Sequence, residues 1–227
     1  MLSAVEIQVL STSFSVAFWA VFLSLPPAIA MAFLLSRHFS GKLALDGLVH
    51  LPVILPPVLT GFLLLLLFGR RGPIGVFLEQ AFGVHLAFTR QGAILATAVM
   101  TFPLLVRAIR IAFEAADARL FAAAAVLRAS PADRFLTIAL PLAAPGILAG
   151  AVTAFAAGMG EFGAVITFAA NIPGRTQTLP LAIYSVMQQP GGEAQALRLA
   201  LMSFILAMAG LVGAELLQRR MLRRLRG

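Results

Sequence analysis

From Ile7 to Ser36 the chain runs without a single charged side chain. That stretch exceeds the roughly 20 apolar residues a helix needs to cross the hydrocarbon core of a bilayer. A helix apolar on all its faces is either buried in a large core or surrounded by lipid. Four further stretches meet the same length test. One lies within Gly47–Gly69 and ends in the run Leu63–Phe68, and one lies around Gln91–Phe113, with Arg107 and Arg110 near its end. The others run from about Pro141 to Phe168 and from about Leu197 to Leu217. A shorter apolar stretch, Leu179–Met187, is bracketed by Pro180 and Pro190 and reads as an interfacial or re-entrant segment. The expected fold is an all-α integral membrane protein with about five transmembrane helices.

Composition supports the lipid reading. The chain is 60% hydrophobic and 11% charged, whereas soluble domains run at about 45–50% apolar and roughly 25% charged. The hydrophobic segments follow one another too closely to leave room for a soluble domain, so residues 1–227 read as a single membrane domain. Cysteine is absent, which excludes disulfides and thiolate metal sites. Met1–Ser13 holds no Lys or Arg, so the positive region of a signal peptide is missing and the first stretch is expected to remain as a membrane helix.

The net charge of +8 has two readings, nucleic acid or membrane topology, and its distribution decides. One side of the membrane receives Arg37, Lys42, Arg107, Arg110, Arg119, Arg128, Arg134 and the tail arginines 219, 220, 223, 224 and 226, which is 12 of the 17 basic residues. Arg70, Arg71, Arg90, Arg175 and Arg198 fall on the other. Basic loops stay in the cytoplasm, so the N-terminus is expected outside and the C-terminus, with its basic tail 218–227, inside. A nucleic-acid partner is not expected.

Prolines punctuate the first two stretches at Pro26-Pro27, Pro52 and Pro56-Pro57. A proline in a spanning helix frees backbone groups that neighbours or water must satisfy. Packing kinks suffice for Pro26 and Pro27. Pro56 and Pro57, mid-membrane beside Thr60 and Gly61, suit the lining of a cavity equally well.

The segment 114–141 is more polar and reads as two helices at an angle. The first covers about Ala118–Leu127, with Leu120, Ala123, Ala124 and Leu127 on one face. The second opens at Ser130-Pro131-Ala132-Asp133, where Ser130 suits the N-cap, Pro131 the first helical position and Asp133 the positive end of the helix dipole. Such an element either packs on its own bundle or docks into a groove on a partner.

This segment resembles the glutamate-alanine-alanine loop of the binding-protein-dependent ABC importer permeases. The matching residues are Ala123, Ala124, Leu127, Ile138, Leu140 and Pro141; the literal Glu114-Ala115-Ala116 lies too far before Ile138 to be the motif. Neither Phe121 nor Ala122 supplies the family's Glu, and Arg128 stands where Gly is usual. If that position takes a positive φ, Arg costs about 1 kcal/mol there. The resemblance extends from roughly residue 10 to 217. The stretches His50–Pro57, Phe68–Gly75, Gly160–Ala164 and Asn171–Pro180 look like the molybdate permease branch, and the last two look similar to sulfate permeases as well.

The resemblance implies a type I ABC importer permease in a bacterial cytoplasmic membrane. The permease acts as a homodimer with two cytoplasmic ATPases, which bind the ATP and Mg, and an external oxyanion-binding protein. The sequence fits that division: the only lysine, Lys42, precedes Leu43, so there is no phosphate-binding loop. His38, His50 and His85 form no zinc motif, and no metal site, cofactor or catalytic residue is expected in this chain. Docking of the ATPase is expected on the 114–141 loop, including Arg128, Ser130 and Pro131. Pathway or gate residues are expected at Pro56, Pro57, Thr60, Gly160, Glu161, Phe162, Gly163 and Asn171.

Glu161 is the acid deepest in an apolar stretch, 20 residues after Pro141 or about 30 Å along a straight helix. That depth puts it near the outer boundary. An intramembrane acid marks function by default, yet a carboxylate repels an oxyanion. Two readings remain, a hydrogen bond within the bundle and an external gate, with Phe162 as the plug. Tungstate or sulfate transport remains the alternative within the family. A secondary anion transporter is the alternative outside it, although no internal repeat of the kind such proteins show is present.

Overall fold

The computed structural model describes residues 3–226, with side chains described for 3–210, 212 and 213. The charges of the basic tail, Arg219, Arg220, Arg223, Arg224 and Arg226, lie outside the described side chains. All regular structure among the described residues is helical.

Among the residues with described side chains, four helical runs are long and apolar enough to cross a membrane: Ala4–Leu35 (α1), Arg90–Glu114 (α5), Pro131–Met159 and Glu193–Gly210, the last within α11 (Glu193–Arg226). Helix α1 opens with a capping box in which the Glu6 backbone N–H donates to Ser3 Oγ (3.2 Å) and the Ser3 N–H to the Glu6 carboxylate (2.7 Å). That arrangement satisfies two N-terminal donors. Pro26 and Pro27 lie inside α1 without ending it.

The second expected span is not one helix. It divides into α2 (Lys42–Ile54) and α3 (Pro57–Phe68), bent by 112°. Leu55 adopts φ −73° and ψ 148°, the extended conformation that a following proline favours, and neither Pro56 nor Pro57 has an N–H to continue the helix. At 13 and 12 residues the two pieces reach only about 20 Å each. The bend therefore corrects the straight-span reading and turns α3 toward the rest of the bundle.

The fourth span also differs at both ends. Ser130 caps α7 (Pro131–Arg134) as expected, in a capping box with Asp133. There is no break at Pro141: α7 passes through a π turn, Phe135–Ala139, directly into α8 (Leu140–Met159). The wide turn precedes Pro141, which has no N–H to donate to a tighter one. The helix then stops at Met159, Gly160–Phe162 are non-helical, and α9 (Gly163–Ala169) follows. The remaining helices are α4 (Pro73–Phe82), α6 (Ala118–Val126) and α10 (Leu179–Met187). Helix α10 is short, as expected; it packs Leu179 and Leu181, both fully buried, against the bundle and leaves Tyr184 and Met187 exposed.

Helices α1, α5 and α8 pack on one another, with α11 against α8 and α10, and α9 against α3 and α5. Small residues set the spacing: a Cβ on Gly146 would meet Ala112 Cβ at 2.3 Å, and one on Gly158 would meet Thr97 Cγ2 at 2.9 Å. Close backbone approach of this kind is how membrane helices associate. Contacts between ends agree with the charge count. Glu6 pairs with Arg198 (3.1 Å) at the outer end, and Arg110 pairs with Asp46 (2.9 Å) and Glu114 (2.7 Å) at the inner end.

Candidate functional site

Two interrupted helical runs meet inside the bundle. Gly163, the first residue of α9, sits so close to α3 that an added Cβ would lie 2.6 Å from Pro57 Cβ and 3.1 Å from the Val58 nitrogen. One turn along α3, a Cβ on Gly61 would lie 2.7 Å from the Ala164 carbonyl oxygen and 2.8 Å from Thr167 Cβ. Pro57, Gly61, Gly163 and Thr167 thus form one seam. Beside it Thr60 is buried, and its Oγ1 has no hydrogen-bond partner among the described residues. The bend at Pro56 and the break at Gly160 both serve this contact, because each lets a short helix leave its span and approach the other.

Glu161 does not lie inside a spanning helix, contrary to the sequence expectation. It occupies the non-helical break, and its Oε1 accepts the Ala164 N–H at 2.9 Å. That bond satisfies an orphan donor at the start of α9. Phe162, read as the plug, has a packed ring: it lies on Tyr184 of α10, with centroids 5.3 Å apart. Asn171 stands apart from the seam: its Nδ2 donates to Ser185 Oγ (2.6 Å) and the Leu181 carbonyl (3.3 Å), fixing the far end of α9 to α10.

Sequence reasoning missed three parts of this assembly. Tyr184 is the chain's single tyrosine, a cue that went unused. Ala170 adopts φ 60° and ψ −177°, a region almost confined to Gly and costing about 1–3 kcal/mol. Thr176 holds it, donating to the Ala170 carbonyl (2.9 Å) and accepting the Ile172 N–H (3.0 Å). Ser13 Oγ of α1 accepts the Leu179 N–H at 2.7 Å, and nothing local to either residue signals that pairing.

On the cytoplasmic side α6 presents the loop. Asp117 caps it by accepting the Arg119 N–H. The four residues read as one face divide: Ala124 is half-buried on the side of Phe121, which turns into the bundle, whereas Leu120, Ala123 and Leu127 are exposed. Leu127 is 82% exposed and Val126 83%, leaving an apolar tip in the aqueous layer. Ile138 and Leu140 belong to the helical run beneath.

The turn after α6 forms without the family's Gly. Arg128 takes φ +63°, the Ala129 N–H donates to the Ala124 carbonyl and the Arg128 N–H to the Ala125 carbonyl, both at 3.0 Å. This is a Schellman motif with Arg at the left-handed position. Arg128→Gly is expected to stabilise the purified chain by up to about 1 kcal/mol, seen as a higher thermal midpoint. An unchanged or lower midpoint would show that the Arg side chain offsets the strain.

Comparison with known proteins agrees with this architecture. Residues 13–226 match the family model for the binding-protein-dependent transport system inner membrane component. The chain is 50% identical over 221 residues to the molybdenum transport system permease protein ModB of Haemophilus influenzae, covering 97% of this chain and 96% of that one. It is 52% identical over 215 residues to ModB of Escherichia coli K12, covering 94% of each. Its fold is similar to that in a bacterial ABC transporter that imports alginate (TM-score 0.77, 16% identity, 96% of this chain and 80% of that one). The inward-facing methionine transporter MetNI is a further match (TM-score 0.75, 15% identity, 97% and 99%). The chain belongs to the binding-protein-dependent inner membrane components and is a multi-pass permease subunit of an ABC importer.

Proposed function

We propose that this permease moves molybdate into the cell. The observation that carries the reading is near-half identity, end to end, with two permeases named for molybdenum transport. The proposed assembly is a homodimer of this single membrane domain, with two ATPases that bind ATP and Mg and an external binding protein that delivers the anion. Lipid surrounds the bundle.

The seam suits that division of labour. A pathway in such a machine needs to guide an oxyanion without holding it, since the binding protein selects and ATP supplies the work. Thr60, with an uncommitted hydroxyl, offers a neutral donor of that kind. The proposed gate is the contact of Pro57 and Gly61 with Gly163 and Thr167, and Glu161 and Phe162 support it as a cap and a packed ring. Docking of the ATPase is proposed on Leu120, Ala123 and Leu127.

Substrate choice is tested by competition. Cells dependent on this permease should lose about half of their radiolabelled molybdate uptake when tungstate is added at equal concentration, and keep it under a large excess of sulfate. Equal competition by sulfate would replace molybdate with sulfate as the transported anion.

A further inference from the structure

A small cavity lies between the bundle and the cytoplasmic loop, well away from the seam. Its walls come from three elements: Phe33 and Arg37 at the end of α1, Phe121 of α6, and Pro131, Arg134 and Phe135 beyond the turn. Its volume is about 150 Å³, the share of about five waters. Drug-sized ligands need about 300 Å³ or more. A shallower recess of about 340 Å³ shares both arginines with it.

The two guanidinium groups have no acid among the described residues. Arg134 Nε is buried and lacks a hydrogen-bond partner there. Arg37 is exposed, and its guanidinium carbon stands 4.3 Å above the Phe33 ring. Phe33 in turn packs edge-on against Phe135 (4.7 Å) and Phe113 (5.4 Å). The acids nearby in sequence are committed elsewhere: Asp133 to Ser130, Asp117 to Arg119, and Glu114 to Arg110. A buried donor left without an acceptor is costly. The planar fork of Arg suits a phosphate-like oxyanion, and aromatic contact pre-orients it.

We propose that the cavity lined by Arg37 and Arg134 binds a small tetrahedral oxyanion of the phosphate or sulfate type from the cytoplasmic side. The anion is either free in solution or the phosphate of a lipid headgroup. Bound there, it joins the end of α1 to the loop on which the ATPase is proposed to dock and stiffens that loop. The stiffening consequence rests on the docking proposal; the binding does not.

The test uses the full chain purified in detergent without lipid, with its thermal midpoint followed as inorganic sulfate replaces chloride at constant ionic strength. Sulfate should raise the midpoint in a saturable way. Arg134→Met, which keeps the apolar stem, should weaken the apparent affinity by about tenfold or more. Arg37→Met, at an exposed position, should do the same, and it carries the test if the Arg134 variant does not fold. Arg71→Met, at the opposite end of the bundle, should respond as the parent chain does. A parallel arm compares nanodiscs of phosphatidylglycerol with phosphatidylcholine: a midpoint shift there, absent with sulfate and lost in both Arg variants, assigns the site to a lipid phosphate. No shift with either probe overturns the proposal and leaves the arginines to a partner's carboxylate. A shift that survives in both Arg variants overturns it as well.

Discussion

Leu127→Glu is expected to abolish uptake and to strip the ATPase subunits from the purified complex, while the chain still inserts in the membrane. Leu127 is 82% exposed, so it contributes little to the bundle, and exposed substitutions usually change stability by less than about 0.5 kcal/mol. A Glu at a helix C-terminus adds a dipole penalty of about 0.3–1 kcal/mol, too little to unfold the chain. An apolar tip buried in a partner's groove behaves differently. Truncating a central contact there costs about 2–4 kcal/mol, or about 30-fold or more in affinity, and a buried unpaired carboxylate costs more. Ala123→Glu, on the same exposed side, should act alike. Ala124→Glu is a poorer probe, because Ala124 is half-buried beside Phe121 and its carbonyl closes the turn. Wild-type recovery of the ATPase with Leu127→Glu would remove this loop as the docking site.

Gly163→Ala is expected to produce a similarly large loss of transport by a different route. The new methyl would lie 2.6 Å from Pro57 Cβ, so α3 and α9 must separate, at about 1–3 kcal/mol for an overpacked contact. Gly61→Ala meets the Ala164 backbone at 2.7 Å and should be equally harmful. ATPase association should persist in both, since the seam is distant in the fold from α6. Glu161→Gln keeps an acceptor for the Ala164 N–H. It should therefore assemble normally and alter only how strongly ATP hydrolysis depends on the loaded binding protein. Phe162→Ala releases the Tyr184 contact and should raise leak. Wild-type uptake with coupled hydrolysis in all four variants would leave the seam as packing and nothing more.

Much of this was readable in the residues, for definite reasons. Ser130-Pro131-Ala132-Asp133 carries its N-cap chemistry locally, and Ser130 caps the helix as expected. The basic residues report topology through their own hydration, and the Glu6–Arg198 and Asp46–Arg110 pairs each join ends placed on one side. Proline was less informative. Pro26-Pro27 lies inside a continuous helix, whereas Pro56-Pro57 divides one; the same dipeptide yields two outcomes because Gly61 and Gly163 reward the bend only at the second. Glu161 was misplaced in a span because the long apolar run from Pro141 to Phe168 reads as one helix straight through Gly160 and Gly163, and the break depends on where α9 must pack. At Arg128 the sequence named the cost of a positive φ, but only the backbone shows that the turn accepts it.

ATP dependence in a reconstituted system tests the central claim most directly. The permease, its ATPase and its binding protein are placed in liposomes, and molybdate is supplied on the binding-protein side. The predicted result is accumulation that requires ATP and the loaded binding protein and is indifferent to collapse of the proton gradient by an ionophore. Accumulation that proceeds without ATP and vanishes when the proton gradient is collapsed would contradict the account and make the chain a secondary anion transporter.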